Sequence, residues 1–215
     1  MSRNRLRRTS SRWLATAFAL GIAAMPCRGV GAADSPRGTV QETADAVVAV
    51  LADKSLSTPQ RRQKVEDIVY AHFDFETLSR LVLARNWKDL SPTQQQEFVS
   101  EFKQHLSMTY GKNVETYNNE KAVVTGDREE ARGDWTVKTK IVRPGAEDIL
   151  VDYRLRKEGN DWRMIDVIIE GVSLVANFRS QFQDIITKDG AARLITLLRE
   201  KNAKGESLKA PGTGT

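Results

Sequence analysis

Cysteine is nearly missing from this 215-residue chain: Cys27 is the single one. No internal disulfide can form, so the fold must rest on its apolar core. Histidine is almost as scarce, with His72 and His105 alone, and neither stands in a metal-ligand spacing such as HExxH. There is no GxSxG elbow, no P-loop and no GxGxxG, which removes the commonest hydrolase and nucleotide-binding readings. Apolar runs are also few. After residue 33 none is long enough to cross a bilayer, so that part is expected to be soluble.

The one long apolar run lies at the start. Arg3, Arg5, Arg7, Arg8 and Arg12 precede Trp13–Ala24, a mostly apolar stretch too short to span a membrane, and Val30-Gly31-Ala32-Ala33 follows. Basic start, apolar centre and small residues describe a secretory signal peptide over 1–33, exported by Sec and cleaved after Ala32 or Ala33. Ser10 and Ser11 stand where a twin-arginine signal wants apolar residues. Met25-Pro26 makes a poor lipobox, so Cys27 is expected to be discarded with the leader. The leader also accounts for the charge. It holds 6 of the 33 basic residues and no acid, leaving 27 bases against 28 acids, a net of −1. The pI near 9.4 is therefore a property of the precursor and gives no reason to expect nucleic acid as a partner. About 180 residues remain, enough for one core.

Helices are expected first. Val40, Ala44, Val47, Val48 and Leu51 mark one helical face. Thr58-Pro59 reads as an N-cap and first helical position, opening a helix that turns Val65, Ile68 and Val69 inward. Asp74 caps a third helix reaching Leu83. Ser91-Pro92-Thr93-Gln94 is a capping box, and its helix runs to Tyr110 with Phe98, Phe102, Leu106 and Tyr110 on one stripe. Near Asn118-Asn119 the period drops to two. Short strands follow at Ala122–Thr125, Trp135–Ile141, Ile149–Leu155 and Trp162–Ile169, joined by tight turns and hence antiparallel. A three-residue turn at Glu158-Gly159-Asn160 would set Tyr153 opposite Ile165 and Val151 opposite Val167. A two-residue turn would set Tyr153 opposite Asp166, and the first register is favoured because it keeps the apolar sets together. A helix over Ser173–Thr187 carries Leu174, Phe178, Phe182 and Ile185. A last one uses Ala191, Leu194, Ile195 and Leu198, and Lys201–Thr215 reads as a polar tail. The class is α+β, with helices packed on one face of an antiparallel sheet, in a single domain over 34–204 and a flexible tail over 205–215.

Candidate chemistry is thin. His105 falls on the polar side of its helix and is expected at the surface; His72 is expected to cap or pack at a helix junction. Asp127, Glu129 and Glu130 read as a solvated loop. Asp166 interrupts an apolar strand. If buried it must be hydrogen-bonded, and a backbone group or Arg179 is a more natural partner than a substrate. Apolar stripes facing one another fit a filled core and a ligand cavity equally well.

Two long blocks lift that ambiguity. FDFETLSRLVLARNWKDLSPTQQQEFVSEFKQHLSMTYG, from Phe73, and WRMIDVIIEGVSLVANFRSQFQDII, from Trp162, resemble the MlaC family of periplasmic phospholipid-binding proteins, the toluene-tolerance auxiliary family. The likeness runs from about Val40 to Lys201; Asn86 departs from it, standing where an aromatic is common before Trp87. The resemblance implies a curved sheet and helices forming an NTF2-like cone around an apolar pocket. It implies a monomeric carrier, not an enzyme, with no cofactor other than phospholipid as cargo. Its partners would be an outer-membrane lipoprotein–porin complex and an inner-membrane ABC transporter with MCE domains; a hopanoid-associated branch is related. Carried onto this chain, it implies Val172, Leu174 and Val175 near the acyl tails. Val137, Val151, Tyr153, Ile165, Val167 and Ile169 would form a sheet wall, and Phe98, Phe102, Leu106, Phe178 and Phe182 a helix wall. Arg80 and Arg179 would stand at the mouth or in structural pairs. The remaining alternatives are an adaptor that carries nothing and an enzyme of the same cone fold using Asp166.

Overall fold

The computed structural model describes residues 35–111 and 116–208. The leader, and the tail from 209, lie outside them. Helices α1 (Pro36–Ala52), α2 (Thr58–His72), α3 (Phe75–Leu83) and α4 (Pro92–Tyr110) come first. Strands β1 (Lys121–Glu129), β2 (Trp135–Val142), β3 (Ile149–Glu158), β4 (Asp161–Ile169) and β5 (Val172–Ser173) follow, then α5 (Leu174–Asp189) and α6 (Ala191–Lys204). The fold is α+β. The strands pair in sequence order as an antiparallel meander. No described helix is long and apolar enough to cross a membrane.

Local chemistry sets the helix starts. Ser91 Oγ accepts from the Gln94 N–H at 3.3 Å, and Gln94 Oε1 accepts from the Ser91 N–H at 3.0 Å, closing the predicted capping box. α2 begins with the same device one residue earlier than expected. Ser57, not Thr58, is the cap, paired with Gln60. Asp74 caps α3 through the Thr77 N–H at 2.8 Å.

The sheet register differs from both expected ones. Gly159-Asn160 form a two-residue turn between Glu158 and Asp161, with Gly159 at φ +60° as the first central residue of such a hairpin requires. That turn alone would bring Asp166 opposite Tyr153. A bulge between Arg154 and Leu155 absorbs one further residue of β4, so Tyr153 faces Val167 and Val151 faces Ile169. The apolar sets remain stacked, two residues away from the predicted pairing. Strand β1 also runs past its expected end, through a second bulge between Val124 and Gly126. Asp127 and Glu129 therefore sit on a strand, not in a loop.

The helices divide into two groups. α3, α4, α5 and α6 share a cluster of their own, built on Leu78, Val82, Leu83, Phe98, Phe102, Phe178, Phe182 and Leu194. α1 lies on the inner sheet face, where Val40 joins Val137, Leu155 and Met164. α2 packs beside α1. The groups meet at β4, where the Asp74 N–H donates to the Met164 carbonyl at 3.0 Å.

Candidate lipid-binding site

The segment Asp166–Val175 joins sheet to helix. Asp166 is 1% exposed. Its carboxylate accepts from the Val167 N–H at 2.9 Å, the Ser173 hydroxyl at 2.6 Å and the Val175 N–H at 3.1 Å. Ser173 Oγ in turn accepts from the Ala176 N–H at 3.0 Å as the cap of α5. Negative charge at a helix N-terminus is favourable, and the backbone donors compensate its burial. Between these residues Glu170 and Gly171 both take positive φ, +50° and +79°. They make the tight hairpin that returns β5 along β4. Glu170 is held there by Leu150. Its N–H donates to the Leu150 carbonyl at 2.9 Å, and its Oε1 accepts the Leu150 N–H at 2.5 Å. Of the two expected kinds of partner for Asp166, the backbone supplies the bonds, while Arg179 is engaged elsewhere, donating from Nε to the Leu81 carbonyl at 2.9 Å. Arg80 pairs with Glu76 and lies over the Trp87 ring.

The expected wall residues fall into two places. Phe98, Phe102, Phe178 and Phe182 are at most 1% exposed and pack on one another, with ring centroids 5.1–5.9 Å apart. Leu106, Leu174 and Val175 belong to the same cluster. These residues do not face Val151 and Tyr153; they fill the α3–α6 core. The inner sheet face brings together Val137, Val151, Tyr153, Val167 and Ile169, with Val172 paired to Ile169 at its edge. Ile165 is the bulge residue, buried at 1% exposure.

Helix α1, packed on β1 and β2, and α2 beside it carry further apolar residues not assigned to a wall. Ala44, Val47, Val48 and Leu51 of α1 and Val65, Ile68 and Val69 of α2 are all only half-buried. No residue of α2 is fully buried. Ile141, Ile149, Val167 and Ile169 of the inner face are half-buried too. Their helical periodicity was legible, but periodicity reports which side is apolar, not how completely it is covered. Tyr153 adds a polar atom to this layer. It makes no hydrogen bond among the described residues, and burial pushes its phenol up to about 12. It stays protonated, a donor, at any ordinary pH.

Two concavities among the described residues lie elsewhere. One, of about 270 Å³, opens at the start of α2 beside Thr58, Arg62 and Glu66. The other, of about 220 Å³, lies on the outer sheet face beside Lys138, Leu150 and Ile168. The apolar pocket implied between sheet and helices is not among them. Among the described residues no group of His, Cys, Asp and Glu could hold a metal ion.

His105 corrects another expectation. It is 0% exposed, not a surface residue. The Leu208 N–H donates to its Nε2 at 3.1 Å, which fixes the proton on Nδ1, 3.3 Å from Asn202 Oδ1. Burial holds its pKa below the ordinary value. Polar neighbours on the helix made it look exposed; the chain after α6 folds back and covers it. His72 keeps its expected local role, with Nδ1 2.8 Å from the Ile68 carbonyl.

The sequence model of the MlaC protein family matches residues 41–200. The chain belongs to the MlaC family. It is 26% identical over 118 residues to the toluene tolerance protein ttg2D of Pseudomonas putida, covering 54% of this chain and 55% of that one. The chain thus aligns with about half the length of that relative. It is 22% identical over 143 residues to the intermembrane phospholipid transport system binding protein MlaC of Haemophilus influenzae, covering 65% and 67%. The fold is similar to that of the phospholipid-binding protein from Ralstonia solanacearum, solved in complex with a phospholipid. That match has a TM-score of 0.70 at 29% identity and covers 78% of this chain and 96% of the other.

Proposed function

We propose that this MlaC-family protein is a periplasmic phospholipid carrier, holding acyl tails between the inner sheet face and helices α1 and α2. The observation that carries the reading is the run of half-buried apolar residues on α1, α2 and the inner sheet face, beside a helical core whose four phenylalanines are fully buried. Apolar surface left partly open by its own chain is available to a ligand. Each buried methylene contributes about 0.8 kcal/mol, so tails alone supply most of the affinity. Tails enter by parting α1 and α2 from the sheet. Tyr153 supplies one donor within an otherwise apolar site. The phospholipid in the Ralstonia solanacearum relative and the name of the Haemophilus influenzae one support the cargo.

The carrier passes lipid between an outer-membrane lipoprotein–porin complex and an inner-membrane MCE-type transporter, having reached the periplasm on its leader. It performs no bond-making step. Asp166, the acid an enzyme would need, is occupied by three donors at the foot of α5. The test is native mass spectrometry of protein purified from periplasm without detergent, with lipid extraction of the same sample. Phospholipid at one molecule per chain is expected. Repeated preparations that carry none would favour the adaptor, and a hopanoid in the extract would change the cargo.

A further inference from the structure

The outer face of the sheet is unlike the rest of this nearly neutral domain. Alternation along β1–β3 turns Lys121, Arg128, Lys138, Lys140, Arg154 and Arg156 outward. Asp152 and, at the hairpin end of β3, Glu158 are the two acids at outward positions of those strands. Arg128, Lys140 and Arg156 are paired with Glu130, Asp148 and Asp134, all in the turns at the strand ends. Lys121, Lys138 and Arg154 make no ion pair among the described residues. Between these bases stand two exposed apolar side chains, Leu150 at 54% and Val123 at 43%, joined across the sheet by Lys140. Half-buried Ile168 neighbours Asp152 on the next strand and, with Lys138 and Leu150, borders the concavity of about 220 Å³. Helix α1, the helix packed on β1 and β2, lies on the opposite face.

We infer that this outer face docks the protein on an anionic bilayer surface, with Lys121, Lys138 and Arg154 among the headgroups and Leu150 dipping below them. The chemistry favours a membrane over a protein partner. Protein interfaces are built on aromatic anchors and are poor in lysine. Here no aromatic side chain points outward from β1–β3, and three of the six bases are lysines. Lysine and arginine beside apolar side chains suit an anionic lipid surface, where each basic residue contributes additively. The inference gives the carrier a way to rest on a membrane with its inner face free. It rests on the carrier reading for its purpose, but vesicle binding is read without reference to cargo.

The test is co-sedimentation of the leader-free protein with vesicles. One set contains phosphatidylglycerol and phosphatidylethanolamine; the other is phosphatidylcholine alone. Binding to the anionic set, weakened by salt, is expected, with little to the neutral set. Lys138→Glu with Arg154→Glu should cut it by at least about twenty-fold, near five-fold per base removed. Leu150→Ala should cut it less, and Lys88→Glu, away from the sheet, should leave it unchanged. Thermal unfolding shows that the variants are folded, and lipid content of the same samples reports separately on the carrier reading. No preference for anionic vesicles would overturn the inference. So would a double variant that binds vesicles normally but fails to exchange lipid with a membrane complex, which would assign the face to a protein.

Discussion

The two apolar regions of this molecule are built from similar residues and finished differently. Around Phe98, Phe102, Phe178 and Phe182, four helices bury the rings to at most 1% exposure, and the rings meet edge to face or stacked. Between the inner sheet face and α1 and α2, valines and isoleucines are left half-covered. The first region stabilises the fold. On the proposed carrier reading both regions are needed, because a layer that takes up and releases cargo cannot also be the sole source of stability.

This contrast can be broken by mutation. The largest effect is expected in the helical core. Phe178→Ala should lower unfolding stability by about 3–5 kcal/mol in chemical denaturation, while the folded fraction keeps its lipid. Loss of lipid without loss of stability would move the cargo into the helical cluster. Next comes the joint between the regions. Asp166→Ala strands buried N–H donors of Val167 and Val175 and should cost about 1–3 kcal/mol, with hydrogen exchange rising first at the start of α5. A Val167→Trp variant should change stability less, by about 1 kcal/mol, yet remove most of the bound lipid. A folded Val167→Trp protein with full lipid content would refute the assignment of the inner face.

The smallest effect concerns His105. Its folded pKa lies below the ordinary 6.5 because burial disfavours the charged form. Between the two pKa values the unfolded chain binds more protons, so stability rises with pH there. The contribution is complete above about 6.5 and is lost as pH falls through the folded value. Comparing thermal midpoints of the wild type and His105→Gln below pH 6.5 should show the wild type falling faster. Protonation would also set Nε2–H against the Leu208 N–H, so exchange at Leu208 should rise over the same range.

Element types were legible because the local signals were strong. Ser91 with Gln94 and Asp74 before α3 act within four residues, and sequence contains all they need. Long-range outcomes were not. The β3–β4 register depended on a bulge, and bulges leave no composition mark as a turn glycine does. The parity of the pairing was readable from the alternation of Val151 and Tyr153; the absolute offset was not. The site divided along the same line. Alternation puts Val151, Val167 and Ile169 on one sheet face, and the strand pairing keeps them together there. The phenylalanine stripe was assigned to the same cavity because periodicity does not reveal which apolar face meets which. The half-buried faces of α1 and α2 could be read as helical faces, but their incomplete cover is a property of the assembled fold.

The most direct test uses a phospholipid with a photoreactive group within its acyl chain, loaded into the purified protein and activated. Peptide mapping should find adducts on α1, α2 and the inner positions of β3 and β4, with Val48, Ile68, Val151 and Val167 among the labelled residues. Adducts confined to Phe98, Phe102, Phe178 and their neighbours, with the inner sheet face unlabelled, would contradict it.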